Sequence, residues 1–396
     1  MNTQLSLRVR PLSKIGLVLG SSGLLLLSLG LLLQPAGLAQ AWSLTEPLTE
    51  AAPVASTRYV AVEGTDTGND CSISATPCAT IQWAVDVAAP DDEIRVAAGT
   101  YTGVQVRQGI TQVVYISQSV TIRGGYTTTN WMTSDPETNA TILDAQGQGR
   151  VIVILYVQAT LEDLRITGGD TQSFADLSGG SAGRVGGGLY IAAVTTISDC
   201  RIYSNTATYF GGGLYAHSSV ITVTQSRIFS NSLSPAYSVG GGIYAELGTS
   251  FVDNNIVFDN NAVYGGGVYL GFGSWGGRLS ENQIYSNRAF QRGGGLLLIS
   301  TQTPDVLISR NVFSQNVAGA DGGGAFLGTG VSVVTGNLFI SNTATGVGGG
   351  AHVYYGSATL MRNTFLSNTS SVGGGGVTII SGSATLIENY FEHNYA

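Results

Sequence analysis

Glycine triplets recur through this chain at a nearly fixed interval, and that interval constrains the fold more than any other feature. Gly-Gly-Gly begins at Gly186, Gly211, Gly240, Gly265, Gly293, Gly322 and Gly348, and a run of four begins at Gly373. An asparagine follows each one: Asn205, Asn231, Asn260, Asn287, Asn316, Asn342, Asn368 and Asn394, with a mean spacing of 27 residues. Each unit holds three short β-like runs, such as Leu214–Ala216, Val220–Val223 and Arg227–Ser230, divided by Gly, Ser and Asn. Glycine triplets and β-branched residues break any helical period. A unit this short cannot bury a core by itself, so it must stack on its copies. The sequence therefore predicts an all-β solenoid: a single-stranded parallel β-helix with about 27 residues per rung and rungs ~4.8 Å apart.

Stacking at that spacing places like residues in columns. After the glycines come Leu189, Leu214, Ile243, Val268, Leu296, Ala325, Ala351 and Val377, an inward column. Three residues before each repeat asparagine stand Ile202, Ile228, Val257, Ile284, Phe313, Phe339, Phe365 and Phe391, again apolar. Five before stand Cys200, Ser226, Asn255, Asn282, Asn311, Asn337, Asn363 and Asn389. Identical amides at rung spacing can donate to one another along the axis and satisfy the backbone of a buried turn. Cys200 shares that column, which marks it as a buried structural thiol rather than a nucleophile.

Residues 1–41 read as a secretory signal. Arg8, Arg10 and Lys14 flank an apolar run, Ile15–Leu33, and Ala39-Gln40-Ala41 supplies a small-x-small cleavage pattern. Residues 42–57 read as a linker. No later segment is long and apolar enough to span a bilayer. Cleavage would remove Lys14, the one lysine, leaving 14 Arg against 25 acids. That balance excludes a P-loop lysine, a Schiff-base lysine and a basic face for nucleic acid. Export also agrees with a disulfide between Cys71 and Cys78, which lie in one loop. A secreted or cell-surface location follows.

Here the residues carry a resemblance. The Gly-Gly-(Gly/Ala)-aliphatic corner followed by Phe-x-x-Asn resembles the repeat of the polymorphic outer membrane proteins, bacterial surface adhesins. Phe339-Ile340-Ser341-Asn342, Phe365-Leu366-Ser367-Asn368 and Phe391-Glu392-His393-Asn394 match it, while the first four units carry Ile or Val in place of Phe. That family's C-terminal transporter barrel has no counterpart in this sequence. Upstream, Tyr59-Val60-Ala61, Pro77–Asp86 and Ile94–Tyr101 resemble the opening of pectin-lyase-like right-handed β-helices. The resemblance implies a right-handed coil, with a short capping helix at about 79–89 and a first repeat at Leu161–Gly169. It divides the chain into cap and first rungs over 58–170 and repeat rungs over 171–396. It says little about activity, since this fold hosts lyases, hydrolases, adhesins and spikes alike.

By the same resemblance, an enzyme of this fold would act on the outward face of the strand after the glycines. Its outward column reads Tyr190, Tyr215, Tyr244, Tyr269, Leu297, Phe326, His352 and Thr378; the next reads Ala192, His217, Glu246, Gly271, Ile299, Gly328, Tyr354 and Ile380. Pectate lyases would need an Arg or Lys base beside calcium-binding carboxylates, and polygalacturonase-like hydrolases would need clustered aspartates. The face offers neither. His217 and Glu246 are the candidate base and orienter, as neighbours across adjacent rungs. The four tyrosines are candidate glycan contacts, with cross-strand stacking as the plainer role. A second outward column, Tyr203, Phe229, Phe258 and Tyr285, repeats that stacking elsewhere.

Opposite charges in one column predict the pairs Glu281–Arg310 and Arg362–Glu388. Arg165, Arg201 and Arg227 share a column and could form a small anion site, with Asp163 and Asp199 expected to neutralise it locally. Neither a metal nor a cofactor is expected, because the Gly-Gly-x-Gly-x-Asp calcium pattern is missing. The functional expectation is a scaffold or adhesin-like protein without catalysis of its own. Extracellular glycans or a host or neighbouring cell surface are the expected partners, and a polysaccharide lyase or glycoside hydrolase is the alternative. The last rung has no polar cap after Asn394, which predicts a further domain or a pairing chain there.

Overall fold

The computed structural model describes residues 55–172, 181–234, 237–272, 276–300 and 306–396. The expected signal and residues 42–54 of the expected linker lie outside them. Strand Thr57–Val60 opens the described fold, one residue inside the stretch expected as linker.

The described residues form an all-β parallel solenoid of about ten turns with one short α-helix. Its strands lie in three sheets of 21, 11 and 7 strands. In one rung Leu214–His217 and Val220–Thr224 both join the long sheet, Arg227–Phe229 the second, and Ser232–Leu233 the third. The sequence predicted the first three runs. The fourth strand, two residues long, is too short to show alternation. Register follows the predicted columns: Leu214 faces Ile243 and Tyr215 faces Tyr244, Ile228 faces Val257, and Phe339 faces Phe365. The interior phenylalanines Phe313, Phe339 and Phe365 stack 4.8 and 4.7 Å apart.

The asparagines hold the corners. The Asn282 side chain donates to Val252 O at 2.8 Å, to Ser280 O at 2.9 Å and to Asn311 Oδ1 at 2.9 Å. The same pattern runs from Asn255 to Asn389. Ser226 and Cys200 extend it: Cys200 N donates to Ser226 Oγ, and the thiol donates to Leu161 O. A second ladder of eight amides runs from Asn205 to Asn394. The sequence used those asparagines only to set the register. The residue before a ladder amide is left-handed, as in Ser230 (φ 52°), Glu281 (58°) and Arg310 (53°). That conformation costs about 1–2 kcal/mol per residue without glycine, and the amide bonds offset it.

Each glycine of a triplet has its own reason. Gly211 has φ +61°; a Cβ on Gly212 would meet Ser232 O at 2.7 Å, and one on Gly213 would meet the Asn231 amide nitrogen at 2.9 Å. The chain passes too close to itself there for any side chain.

Helix Ile81–Val87 caps the first rungs, as the resemblance implied, with Thr80 accepting from Trp83 N. Its buried Ile81, Ala84 and Val85 join the core with Val60 and Ile94. The Cys71–Cys78 disulfide forms, and Tyr59 pairs with both half-cystines through backbone hydrogen bonds. Asp92 is fully buried and paired to Arg58 Nε at 2.8 Å.

Candidate functional site

The tyrosine column forms because Leu189, Leu214, Ile243 and Val268 turn inward, sending the next residue of each strand outward. Tyr190, Tyr215, Tyr244 and Tyr269 stand in register on consecutive rungs. Their rings stack at 5.4, 5.2 and 4.7 Å, with planes within 29° of parallel. Stacking covers the ring faces, so the flat surface expected for sugars is largely consumed within the column. Phe210, from just before a glycine triplet, packs 4.8 Å from Tyr244 and 6.2 Å from Tyr215. Tyr244 is left 4% exposed. The Arg150 guanidinium lies over Tyr190 at 5.5 Å.

Further along, the column expected to face outward is closed. Leu297, Phe326 and His352 are all buried. Arg292, again just before a glycine triplet, covers the Phe326 and Tyr354 rings at 5.1 and 5.3 Å.

His217 and Glu246 are neighbours on adjacent rungs, as expected. His217 Nδ1 is 3.7 Å from Glu246 Oε2, beyond hydrogen-bond reach, and has no hydrogen-bond partner among the described residues. Its ring lies parallel to Tyr215 at 6.1 Å. Glu246 instead accepts from the Tyr244 hydroxyl at 2.5 Å. Gly271 makes room for this arrangement: a Cβ there would meet the Tyr269 hydroxyl at 2.7 Å and Glu246 Cγ at 3.1 Å. Burial raises the pKa of Tyr215, Tyr244 and Tyr269, the last to about 12. These phenols stay protonated and cannot serve as bases at neutral pH. Glu246 is thus positioned by Tyr244, and His217 stands beside it without a bond.

The expected surface pairs form: Arg310 binds Glu281, and Arg362 Nε lies 2.6 Å from Glu388. Arg165, Arg201 and Arg227 share a column, but the neutralising acid is different from the one expected. Asp163 accepts the Ser134 hydroxyl at 2.8 Å, and the carboxylate on Arg201 belongs to Glu137. Sequence distance hid that contact.

The sequence also held no sign of a cavity of about 540 Å³ beside the capping helix, lined by Trp83, Asp86, Tyr101, Gln105 and Arg107. It arises between the helix and the hairpin Gln105–Arg107/Ile110–Ile116, and Arg107 already pairs with Asp86 at 2.5 Å. Among the described residues no group of three or more His, Cys, Asp or Glu could hold a metal ion, and no helix is long and apolar enough to cross a membrane.

The family model for the right-handed β-helix region matches residues 100–321 and 187–369. The chain belongs to the right-handed β-helix family. The matching model is that of the general fold, not of the adhesin repeat. A solved β-helix structure, a pectate lyase called Pel9A, aligns over 85% of this chain and 80% of its own, with 14% identity and a TM-score of 0.46. The activity in that name is said of that protein. No curated protein matches the chain. In this right-handed β-helix, the candidate residues sit on the outer surface of a continuous core, and none lines the cavity beside the cap.

Proposed function

We propose that this β-helix is a secreted or cell-surface, adhesin-like scaffold without catalysis of its own, presenting a long ladder of side chains to extracellular partners. The observation that carries this reading is how Glu246 is used. It is the one acid in its outward column, and its carboxylate is engaged by Tyr244, while His217 stays out of hydrogen-bond reach. A lyase or hydrolase needs a free base or an acid–base pair at the reacting carbon. Export rests on the signal-like residues 1–41 and on the Cys71–Cys78 pair.

The test is to incubate the protein with polyuronates and neutral glycans and follow unsaturated products and reducing ends. No turnover is expected. Turnover lost in Glu246→Gln or His217→Ala would overturn the reading in favour of an enzyme. A second reading, a non-catalytic glycan-binding face, draws on the partly exposed Tyr190, Tyr215 and Tyr269. It predicts glycan affinity lost in the Tyr215→Ala/Tyr269→Ala double variant.

A further inference from the structure

On the outward face of the second sheet, Ile142, Arg165, Arg201, Arg227 and Ile256 run in register. Three guanidinium groups therefore leave the surface on consecutive rungs, ~4.8 Å apart. Two residues along the same strands, Tyr203, Phe229, Phe258 and Tyr285 stack at 5.0, 4.8 and 5.1 Å with planes within 9°. Those rings cover one another's faces. The surface receives their edges, the positive side of the ring quadrupole. Neither column holds a carboxylate between Thr167 and Tyr285.

The acid that reaches the arginines comes from the loop before strand Thr141–Asp144. Glu137 places its carboxylate on Arg201, and Arg165 donates to the backbone of the same loop at Pro136 O, 3.2 Å. The Arg201 hydrogen bond, then the charges of Arg201, Arg165 and Arg227, hold the Glu137 carboxyl below its ordinary range. The Glu137 side chain is 72% exposed and Arg227 is exposed, lying over the Phe258 ring at 5.8 Å. Three cations thus meet one displaceable carboxylate, in a chain whose net charge is −8.

The geometry points to an anion-binding ladder at Arg165, Arg201 and Arg227 that takes a linear acidic peptide, with Glu137 as a resident carboxylate in place of one of the ligand's. The occupant is a peptide rather than a glycan for two reasons visible here. The carboxylate already seated is a glutamate on a polypeptide loop, and the neighbouring rings offer edges, not the open faces on which sugars stack. Because the protein as a whole is acidic, long-range attraction cannot deliver a polyanion; recognition has to come from the ladder itself. The inference rests on the scaffold reading, to which it adds a partner.

The experiment titrates fluorescently labelled oligo-glutamate into the full chain, with oligogalacturonate as the comparison. Wild type is expected to bind at low ionic strength and to lose affinity with salt. Arg165→Ala and Arg227→Ala should each weaken binding about tenfold, the order of one charge-assisted contact. Glu137→Gln should tighten it, since it vacates the seat; a merely structural Glu137 would not do this. Unchanged circular dichroism of the variants secures the fold. Absence of binding in both wild type and Glu137→Gln would overturn the inference, as would an unaltered affinity in Glu137→Gln. Tighter capture of oligogalacturonate with the same arginine dependence would reassign the ladder to an acidic glycan. None of these outcomes bears on turnover, so the two readings fail separately.

Discussion

The Asn282 side-chain amide lies 2.9 Å from Asn311 Oδ1, and that same oxygen accepts the Asn282 backbone N–H at 3.0 Å. One amide therefore closes its own corner through Ser280 O and locks the next rung to it. Asn282→Ala would leave the buried Asn255 backbone N–H without its acceptor and would strip the amide bonds to Asn255 Nδ2 and to the carbonyls of Val252 and Ser280, the last of which keeps the Asn254 N–H. The expected cost is about 1–3 kcal/mol, that of one buried unsatisfied group. Asn282→Ser should cost less, because Ser226 already serves in this column. Hydrogen exchange resolved by rung is the suitable measurement, since a solenoid can open locally.

The interior phenylalanine stack makes a second prediction. Phe339 is fully buried between Phe313 and Phe365. Phe339→Ala should destabilise its rungs by about 3–5 kcal/mol. Phe339→Ile should cost well under that, because Ile228 and Ile284 fill the same column upstream. Denaturant melts of the two variants, compared with wild type, would show whether the ring or only its volume is needed.

Cysteine chemistry should separate cleanly in three states. Cys71 and Cys78 are bonded, and Cys200 is buried with its thiol pushed up to about 12 by desolvation. A thiol held protonated and covered does not react. A thiol reagent should find none in the native protein, one after denaturation, and three after denaturation with reduction. A reactive thiol in the native state would contradict the buried corner position of Cys200.

The columns were legible because a period of 27 residues converts sequence spacing directly into spatial adjacency. That is why the inward residues, the Asn255–Asn389 ladder, the Cys200 position and the Glu281–Arg310 and Arg362–Glu388 pairs could all be read in advance. What was missed does not follow the period. Phe210 covers the tyrosine column and Arg292 covers Phe326, each from the residue before a glycine triplet, a position whose side chains vary from rung to rung. Glu137, in the loop before Thr141–Asp144, reaches an arginine 64 residues further along the chain. Five of the seven strands of the third sheet are two residues long and carry no alternation to detect. In the candidate site, the His217–Glu246 adjacency was legible, but the Tyr244 bond that commits Glu246 was not. It depends on side-chain reach within one strand rather than on register between strands.

His352 makes the pH dependence specific. It is 1% exposed, and neither ring nitrogen has a hydrogen-bond partner among the described residues. Burial lowers its pKa; Asp321, with Oδ2 3.9 Å away, acts against that shift, and the Arg292 charge acts with it. The Phe326 and Tyr354 rings meet it edge-on at 5.1 and 5.5 Å. A histidine whose folded pKa lies below its unfolded value of about 6.5 binds more protons when unfolded, so stability rises with pH through that range. The contribution is complete above about pH 6.5 and is lost as pH falls toward the folded pKa. Each tenfold loss of proton affinity on folding is worth at most about 1.4 kcal/mol. His352→Leu, which places in this column the residue already found at Leu297, should remove this part of the acid sensitivity. Denaturant melts at about pH 7.5 and about pH 5 would show it: wild type should lose more stability between them than the variant. Equal losses would mean that His352 is protonated in the folded state, its charge accommodated by Asp321.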